Sequence, residues 1–274
     1  MSILSLFKRS SFAPAFLLLS APRRRALAAV YAFARAVDDA VDDPAGGADP
    51  RKELDRWRAL LRAPYVTAEE AVSAPPAWLP LEQALSAFPI GRNHLLDLID
   101  GVARDIGAFR AETFEDFKTY CYGVASTVGL ACLGIFGLDE DGHRDFAVNL
   151  GLAVQTVNIL RDVKGDAAAG RIYLPREDLR RFGVTEAGLR SAHLEAPVLR
   201  LLRFEAERAR DFFGAARRAL LPTSRRAARP AVAMGALYRR LLDKLERGDF
   251  LWGAPRPSLT FWEKAGTLMT CLTD

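Results

Sequence analysis

Two groups of acidic side chains, each spaced at helical intervals in an otherwise apolar segment, constrain this chain most strongly. The first group contains Asp38 and Asp42, and the second contains Asn158, Asp162 and Asp166. Side chains four residues apart stand on one face of a helix, where like charges repel by roughly a few tenths of a kcal/mol per pair. Burying such carboxylates without partners costs far more, on the order of several kcal/mol per ion. Cations are therefore expected to neutralise both groups.

The donor atoms of these groups indicate which cation fits. Oxygen donors without nearby His or Cys favour Mg²⁺, which typically uses one or two carboxylates together with substrate phosphates. We therefore interpret the two groups as a magnesium–diphosphate site between two helices. Alone, Asp38–Asp43 before Pro44 could equally be a solvated helix end. The pair favours a site, because Gln155 and Asn158 form one narrow polar line on a helix that is apolar nearly all round.

Helical periodicity dominates the chain, and no run of alternating apolar and polar residues predicts a strand. A length of 274 residues with 50% apolar content is enough for one large core. Short connections marked by Pro or Gly favour a single all-α domain over residues 1–274, and the loosest stretch is Pro64–Pro80. The predicted helices are Pro22–Asp43, Pro50–Arg62, Leu79–Phe88, Arg92–Phe109, Thr113–Phe136, Asp141–Asp166, Ala196–Leu220, Ala227–Glu246 and Phe261–Thr270.

Other motifs argue against several functional classes. Neither a Walker A sequence nor a Gly-x-Gly-x-x-Gly occurs, so no P-loop or Rossmann nucleotide site is indicated. The three cysteines show no paired spacing, which favours a reducing, cytosolic setting. Glu140 and His143 make a single Glu-x-x-His, whereas a di-iron bundle needs two. His94 and His193 have no partner motif and are predicted to lie on the surface.

The charge balance and the N-terminal region bear on partners and location. A net charge of +4 suits an anionic small substrate, an anionic membrane surface or nucleic acid, without choosing among them. The apolar run Phe12–Leu19 follows Lys8 and Arg9 like a faint signal peptide, but Pro14 interrupts it and Arg23–Arg25 follow it. No run reaches the roughly 20 apolar residues that a membrane span needs. We expect a soluble protein that can rest on a membrane.

Four longer stretches of the chain carry a further pattern. They are Tyr31–Asp42, Tyr120–Gly129, Gln155–Asp166 and Gly170–Pro175, with weaker similarity at Tyr238 and near Arg256. In this order they resemble the head-to-head isoprenyl diphosphate synthases, which include squalene, dehydrosqualene, presqualene diphosphate and phytoene synthases. The resemblance runs from about Ser11 to Gly183. It implies an isoprenoid-synthase helix bundle around a central cavity.

The resemblance also implies a role for individual side chains. The ligands of roughly two or three Mg²⁺ ions that bridge the substrate diphosphates would be Asp38, Asp42, Asn158, Asp162 and Asp166. The catalytic side chains near the reacting centres and diphosphates would be Tyr31, Tyr120, Tyr173, Arg35 and Arg161. The other substrate-binding residues would be Gln155, Val124, Ala125, Val128, Gly129 and Tyr238. The small side chains between Val124 and Gly129 would form a helix break that leaves room for a prenyl tail.

Two segments narrow the implied reaction. Leu98–Gly101 and Tyr120–Tyr122 look closest to the presqualene diphosphate synthases of bacterial hopanoid pathways. The resemblance thus implies a Mg²⁺-dependent head-to-head (1′-2-3) condensation of two farnesyl diphosphates with release of diphosphate. Phytoene synthase, which takes two geranylgeranyl diphosphates, and dehydrosqualene or squalene synthase stay open as alternatives, because the motifs are shared. NADPH would be needed only if a second half-reaction follows.

Two other functional classes fit the sequence less well, and two positions of the chain depart from the family pattern. A head-to-tail prenyltransferase or terpene cyclase is disfavoured, because the second motif is Asn-x₃-Asp-x₃-Asp. A non-catalytic protein that retains the fold is disfavoured, because every expected metal ligand is present. Gly165 stands where the family usually has an acidic residue, which predicts a looser loop leading into Asp166, and Ser126 replaces a more usual Gly.

The implied partners follow from the implied chemistry. Prenyl diphosphates are the expected substrates, and no nucleic acid is expected. An apolar product would have to be handed on, which favours downstream pathway enzymes as partners. The expected location is the cytoplasm, with peripheral contact at the inner face of the membrane.

Overall fold

Helices form almost the whole described part of the molecule. The computed structural model describes residues 13–43, 47–63, 67, 73–107, 109–252 and 257–273, and no strand occurs within these ranges. The α-helices there are α1 (Ala21–Asp42), α2 (Pro50–Arg62), α3 (Trp78–Ala87), α4 (Arg92–Ala103), α5 (Phe114–Cys121), α6 (Thr127–Phe136), α7 (Glu140–Ala168), α8 (Arg176–Phe182), α9 (Glu186–Arg190), α10 (Ala196–Ala219), α11 (Arg225–Arg247) and α12 (Phe261–Thr273). Turns of 3₁₀ helix occur at Ala13–Leu18, Arg104–Gly107, Pro222–Ser224 and Asp249–Leu251. The prediction of an all-α fold is confirmed.

Most predicted helix boundaries agree with the structure within a few residues, and the exceptions are informative. Helix α4 ends at Ala103, earlier than predicted, because the chain tightens there into a 3₁₀ turn. Helix α7 continues past Gly165, so the prediction of a loop leading into Asp166 was wrong. Helices α8 and α9 were missed, because elements of so few residues carry little periodic signal. The sequence features at Lys8, at Pro44 and near Arg256 lie outside the described residues.

The core consists of two clusters of buried side chains. One includes Phe33 and Trp57, whose rings meet edge to face with centroids 5.0 Å apart. The other joins α7, α10 and α11 through residues such as Leu160, Leu201 and Leu241. Six partly buried apolar side chains pack against both clusters, and they are Tyr122, Val124, Val148, Val154, Phe213 and Met234. These six side chains mark the boundary between the clusters, and the central cavity that the resemblance implies stays a prediction.

A π turn at Tyr122–Ser126 joins α5 to α6 without leaving helical geometry. The amide of Thr127 donates to the carbonyl of Tyr122, one residue further back than in an α-helix. Helix α4 comes very close at this point, since a Cβ on Gly101 would lie only 2.5 Å from the carbonyl carbon of Gly123. The predicted helix break therefore takes the form of a π turn packed against a glycine.

The same segment, Phe114–Phe136, is the one candidate membrane span in the part of the chain that the structure describes. It qualifies by length and composition, and 56% of its most apolar window is buried within the protein. It packs against α4 and α7. Its apolar character is therefore already used in packing the bundle.

His94 joins α4 to the start of α7. Its Nε2 lies 2.8 Å from Oε2 of Glu140, and the residue is only 3% exposed, so the prediction of a surface position was wrong. His143 is equally buried, with Nδ1 lying 3.0 Å from the carbonyl oxygen of Asp139. The Glu140 and His143 pair is thus used in helix packing. His193 is exposed, as predicted.

Candidate active site

Helix α1 presents the first acidic group on one face and core residues on another. Val30, Phe33 and Val37 are fully buried, which fixes the rotation of the helix about its axis. Arg35 and Asp38 then lie on another side of the helix, where the charge of Asp105 acts on Asp38. The guanidinium of Arg35 pairs with Asp38 at 3.2 Å and with Asp39 at 2.5 Å. One arginine therefore serves two carboxylates on the same helix.

The carboxyl of Asp38 carries unfavourable charge interactions. Its partial burial, followed by repulsion from Asp42, raises its pKa to about 6, and Arg35 opposes this only in part. Asp39 and Asp105 add further repulsion. Such a raised pKa means that the ionised form is short of positive charge. The site thus favours the binding of an additional cation.

Asp105 is a further carboxylate at the site, and the sequence motifs did not predict it. It lies in the 3₁₀ turn after α4, where its Oδ2 accepts a hydrogen bond of 2.9 Å from the hydroxyl of Tyr120. Tyr173 also hydrogen-bonds to it. Burial raises the pKa of Asp105 to about 6, and the charge on Asp42 contributes to that shift. One buried acid therefore positions two tyrosine hydroxyls that were predicted to be catalytic.

Three aromatic rings form a stack beside Asp105. The ring of Tyr120 lies between Phe109, at a centroid distance of 4.6 Å, and Tyr173, at 4.9 Å. The three rings are nearly parallel, with interplanar angles of 14° and 22°. Burial raises the pKa of both tyrosines above the ordinary value, so both hydroxyls stay protonated and can donate. The structure thus brings Tyr120 and Tyr173 together, as predicted, and adds Phe109.

Helix α7 carries the second polar group on successive turns. The amide nitrogen of Asn158 donates to Oε1 of Gln155 at 3.2 Å, while its carbonyl oxygen Oδ1 is buried without a hydrogen-bond partner. A buried acceptor left in this state is costly, and native proteins usually satisfy it. Asp162 and Asp166 follow on the next two turns. The orphaned oxygen of Asn158 is a ready donor for a metal ion.

Arg161 is held inside the protein by residues of the site. Its guanidinium makes two hydrogen bonds to Asp162, of 3.0 and 2.6 Å, and the side chain is only 8% exposed. The hydroxyl of Tyr238 lies within hydrogen-bonding reach of Arg161 and Asn158. Burial raises the pKa of Tyr238, and Tyr31 is close enough to add to that shift. In this structure Arg161 therefore orients Asp162, while its predicted contact with diphosphate stays a prediction.

Arg171 connects the two acidic groups. It forms a 2.6 Å ion pair with Asp42 of α1, and the charge of Asp166 on α7 also acts on it. Its Nε is buried without a hydrogen-bond partner. Arg110 fixes the same loop by donating to the carbonyl oxygens of Gly170, at 3.1 Å, and Ile172, at 3.4 Å. The sequence motif contained Arg171, but no role was assigned to it.

Helix α8 anchors the loop that carries Tyr173. Phe114 at the start of α5 donates its amide to Glu177 at 2.6 Å. Arg208 of α10 donates to Asp178 of α8 at 2.6 Å and to Glu205 at 2.9 Å. The guanidinium carbon of Arg208 lies 3.8 Å from the centroid of the Phe114 ring. These contacts tie α8 to two neighbouring helices directly after the active-site loop.

One of the four predicted tail-binding residues, Val124, lies at the boundary between the core clusters. Val124 packs against both clusters and Val128 against one. Ala125 and Gly129 are partly exposed within the same helical segment. A separate groove of about 690 Å³ runs between α1 and α3, and Arg35 lies in its wall. None of the four tail-binding residues lines that groove.

The donors at the site fit Mg²⁺ that is shared with diphosphate. Among the residues described, no three His, Cys, Asp or Glu side chains come close enough to hold a metal ion on their own. The site nevertheless offers the uncompensated carboxylate of Asp38 and the orphaned Oδ1 of Asn158. All its donors are oxygens, which Mg²⁺ prefers, and substrate phosphates normally complete its coordination. The oxygen donors of this site therefore suit Mg²⁺, with diphosphate supplying the remaining ligands.

The chain is similar to known proteins over most of its length. A family model described as squalene/phytoene synthase matches residues 8–263. The phytoene synthase of Arthrospira platensis is 32% identical over 268 residues, covering 93% of this chain and 84% of that protein. The 15-cis-phytoene synthase of Synechococcus elongatus is 33% identical over 264 residues, covering 92% of this chain and 84% of that protein.

Solved structures are similar over nearly the whole chain. A dehydrosqualene synthase in complex with a ligand superposes with a TM-score of 0.84 at 25% identity, covering 99% of this chain and 94% of that one. Squalene synthase HpnC from Alicyclobacillus acidocaldarius superposes with a TM-score of 0.74 at 29% identity, covering 90% of this chain and 94% of that one. The helix bundle described above is therefore the architecture of these enzymes.

Proposed function

Since the chain belongs to the squalene/phytoene synthase family, whose members are prenyltransferases, we propose that it condenses two farnesyl diphosphates head to head into presqualene diphosphate. The observation that carries the proposal is the meeting of two acidic helix faces at Arg171, next to the Tyr120 and Tyr173 stack. A cationic and acidic rim suits diphosphates, and the aromatic and apolar interior suits prenyl chains.

The first step is the loss of diphosphate from one substrate. The leaving group takes the electron pair of its C1–O bond, so negative charge builds up on oxygen while C1 becomes cationic. Asp38, Asp42, Asn158, Asp162 and Asp166 would hold the Mg²⁺ ions. When bound, these ions would supply positive charge to the leaving diphosphate. Arg35 and Arg171 offer guanidinium donors on the same side, and such preorganised charges stabilise developing negative charge.

The second step forms carbon–carbon bonds. The double bond between C2 and C3 of the other substrate attacks the cationic C1, and loss of a proton from that C1 to the released diphosphate closes the cyclopropane ring. The outer face of the Tyr173 ring can stabilise the cation by cation–π attraction, worth about 2 kcal/mol or more in a dry site, while Tyr120, covered on both faces by Phe109 and Tyr173, supports that ring. Asp105 holds both hydroxyls in place, so the rings are already oriented when the cation forms.

Phytoene synthesis from two geranylgeranyl diphosphates is the second candidate. Its support is the identity of 32–33% with phytoene synthases over more than nine-tenths of this chain. Both reactions share the head-to-head condensation and differ in the length of the prenyl tails. The side chains at the boundary between the core clusters, such as Phe213 and Met234, therefore bear on the choice of substrate.

The experiment that tests the proposal is incubation of the purified protein with Mg²⁺ and each prenyl diphosphate, with and without NADPH, followed by mass spectrometry. Presqualene diphosphate from farnesyl diphosphate under both conditions supports the proposal. Squalene formed only with NADPH means that both half-reactions occur here. Phytoene from geranylgeranyl diphosphate, with no product from the shorter substrate, favours the second candidate. Absence of any product from both substrates contradicts the enzymatic assignment.

The proposed setting is the cytoplasm, at the inner face of a membrane, with a downstream enzyme that receives the product. A product with two fused prenyl chains dissolves poorly in water, because each buried CH₂ favours an apolar phase by about 0.8 kcal/mol. Transfer is tested by adding purified neighbouring enzymes and following product turnover. The downstream enzyme should turn over product that the synthase makes in the mixture faster than product added from solution. Equal rates would contradict a hand-over.

A further inference from the structure

Helix α12 exposes large apolar side chains to solvent. Trp262 and Phe261 are 80% and 73% exposed, and Met269 is also exposed, two turns after Trp262. Thr267, in contrast, is buried, and Glu263 faces the protein. A surface helix normally packs its apolar face inward and shows its polar face to water. Here Phe261, Trp262 and Met269 face outward, whereas Leu268 and Cys271 of the same helix pack against the core.

Specific contacts hold α12 in this orientation. Glu263 pairs with Lys244 of α11 at 2.9 Å and accepts the amide of Thr260 at 2.7 Å. The hydroxyl of Thr260 in turn accepts the amide of Glu263, which completes a reciprocal cap at the helix start. These contacts keep the carboxylate of Glu263 on the inner side, and they lower its pKa to about 2. The exposure of the aromatic pair is therefore a consequence of defined packing.

Exposed apolar side chains concentrate around α12. Seven large ones are exposed in the described residues, and four of them lie on α12 or on the 3₁₀ turn that contacts it. The fourth is Leu17 of that turn. The rings of Phe261 and Trp262 meet edge to face at 5.3 Å, forming one continuous patch. Apolar patches of this kind mark interaction surfaces.

Cationic side chains border the patch. Arg240 is exposed and lies one turn before Lys244 on the same face of α11, and Lys244 contacts α12 directly. Lys264 follows the aromatic pair on α12 and is partly exposed. Exposed Trp and Phe with adjacent Lys and Arg are the combination that binds the interface of a lipid bilayer.

We propose that Leu17, Phe261, Trp262 and Met269 form a surface that binds an anionic lipid bilayer, with Arg240 and Lys264 contacting the headgroups. A lipid surface is favoured over a protein partner, because the patch combines an aromatic pair with bordering cations on a convex helix. Convex surfaces lack the pockets in which protein interfaces bury their aromatic anchors. The inference rests on the proposed function only in that an apolar product needs a lipid phase to enter.

The test is co-sedimentation of the full chain with phosphatidylcholine vesicles, with and without phosphatidylglycerol. We expect the unaltered protein to pellet with the anionic vesicles, and F261S/W262S to bind more weakly by roughly tenfold or more. The matched control is Leu221→Ser, which changes an exposed apolar residue elsewhere and should bind normally. R240Q/K264Q should lose the preference for phosphatidylglycerol. Trp emission should shift to shorter wavelength on binding, and the loss of this shift in F261S/W262S assigns it to Trp262, because Trp57 and Trp78 are buried and the partly buried Trp252 is retained in that variant.

Two outcomes would overturn the proposal. One is an unaltered protein that stays in the supernatant with both kinds of vesicle. The other is a dimer in light scattering that F261S/W262S converts to a monomer without any change in vesicle binding, which would assign the patch to a second copy of the chain. Vesicle binding by a chain that makes no product from any prenyl diphosphate would keep this inference and reject the proposed function.

Discussion

Arg171 and Arg208 each stand between two carboxylates, and the contrast between their surroundings separates a binding site from a structural clamp. Arg171 lies between Asp42 and Asp166 at the partly exposed rim of the candidate active site. Arg208 lies between Asp178 and Glu205, which is fully buried. The same arrangement of one guanidinium between two acidic side chains therefore occurs in two different environments within this molecule.

The difference teaches what each environment allows. At Arg208, aromatic rings cover the guanidinium, so little room remains for a ligand. At Arg171, repulsion among neighbouring acids is left uncompensated, as the raised pKa values of Asp38 and Asp105 show. Burial raises the pKa of Glu205 to about 7, so the buried cluster is also short of positive charge, but only the open site has room to take a further cation from solvent. The following predictions test this distinction.

The largest effect is expected from removing an acidic ligand at the open site. Asp38→Asn or Asp162→Asn should lower turnover by roughly a thousandfold or more, because charge stabilisation of the leaving diphosphate is lost. The fold of the Asp38→Asn variant should survive, since Asp38 is repelled by its neighbours in the free protein, whereas Asp162→Asn also removes the partner of the buried Arg161 guanidinium and should lower stability. Steady-state kinetics and thermal unfolding check both statements. Asp43→Asn, at the exposed end of the same helix, is the control and should retain most activity.

The next effect concerns the buried clamp. Arg208→Met should lower the free energy of unfolding by about 3–5 kcal/mol, because two buried carboxylates then lack their cation. Denaturant unfolding measures this loss. The control is Arg203→Met, which removes an exposed pair with Asp249 and should cost less than about 1 kcal/mol. Equal losses in the two variants would show that the burial of the clamp does not matter.

Glu205 makes the stability of the clamp depend on pH. Burial raises its pKa to about 7, so the folded protein holds a proton that the unfolded chain releases near pH 4.5. The free energy of unfolding should therefore fall as pH rises from about 4.5 to about 7, by up to about 3 kcal/mol. In Glu205→Gln this dependence should disappear, whereas in Glu207→Gln, exposed on the same helix, it should remain. Urea unfolding of the two variants at several pH values measures whether the pH dependence is lost.

A smaller effect is expected at the open site without ligand. The raised pKa values of Asp38 and Asp105 mean that the folded protein holds protons between about pH 4 and about pH 6, so its stability falls as pH rises through this range. Because Asp38 is half exposed, the change should stay below about 1 kcal/mol. Mg²⁺ with inorganic diphosphate should reverse it. Thermal unfolding at about pH 5 and about pH 8 is the measurement, and equal ligand-induced shifts at both values would contradict this account.

Local spacing was enough to predict much of this molecule. The two acidic lines and the polar line on α7 depend on residues within a few turns of each other, so helical geometry alone places them on common faces. Arg171 and Asp42 are 129 positions apart, and no local pattern links them. Asp105 follows a helix as a single acid in a 3₁₀ turn, and only its contact with Tyr120 identifies it. His94 was misplaced for the same reason, because its partner Glu140 lies on another helix.

The π turn between α5 and α6 sets the phase of two helix faces. It contains one residue more than an α-helical turn would, and one residue corresponds to a rotation of about 100°. The side chains of Tyr120 before the turn and Val128 after it therefore do not point in the relative directions that an uninterrupted α-helix would give them. Deleting one residue within Tyr122–Ser126 would leave an unbroken α-helix, yet the reacting end and the tail end of the substrate would face walls that no longer match.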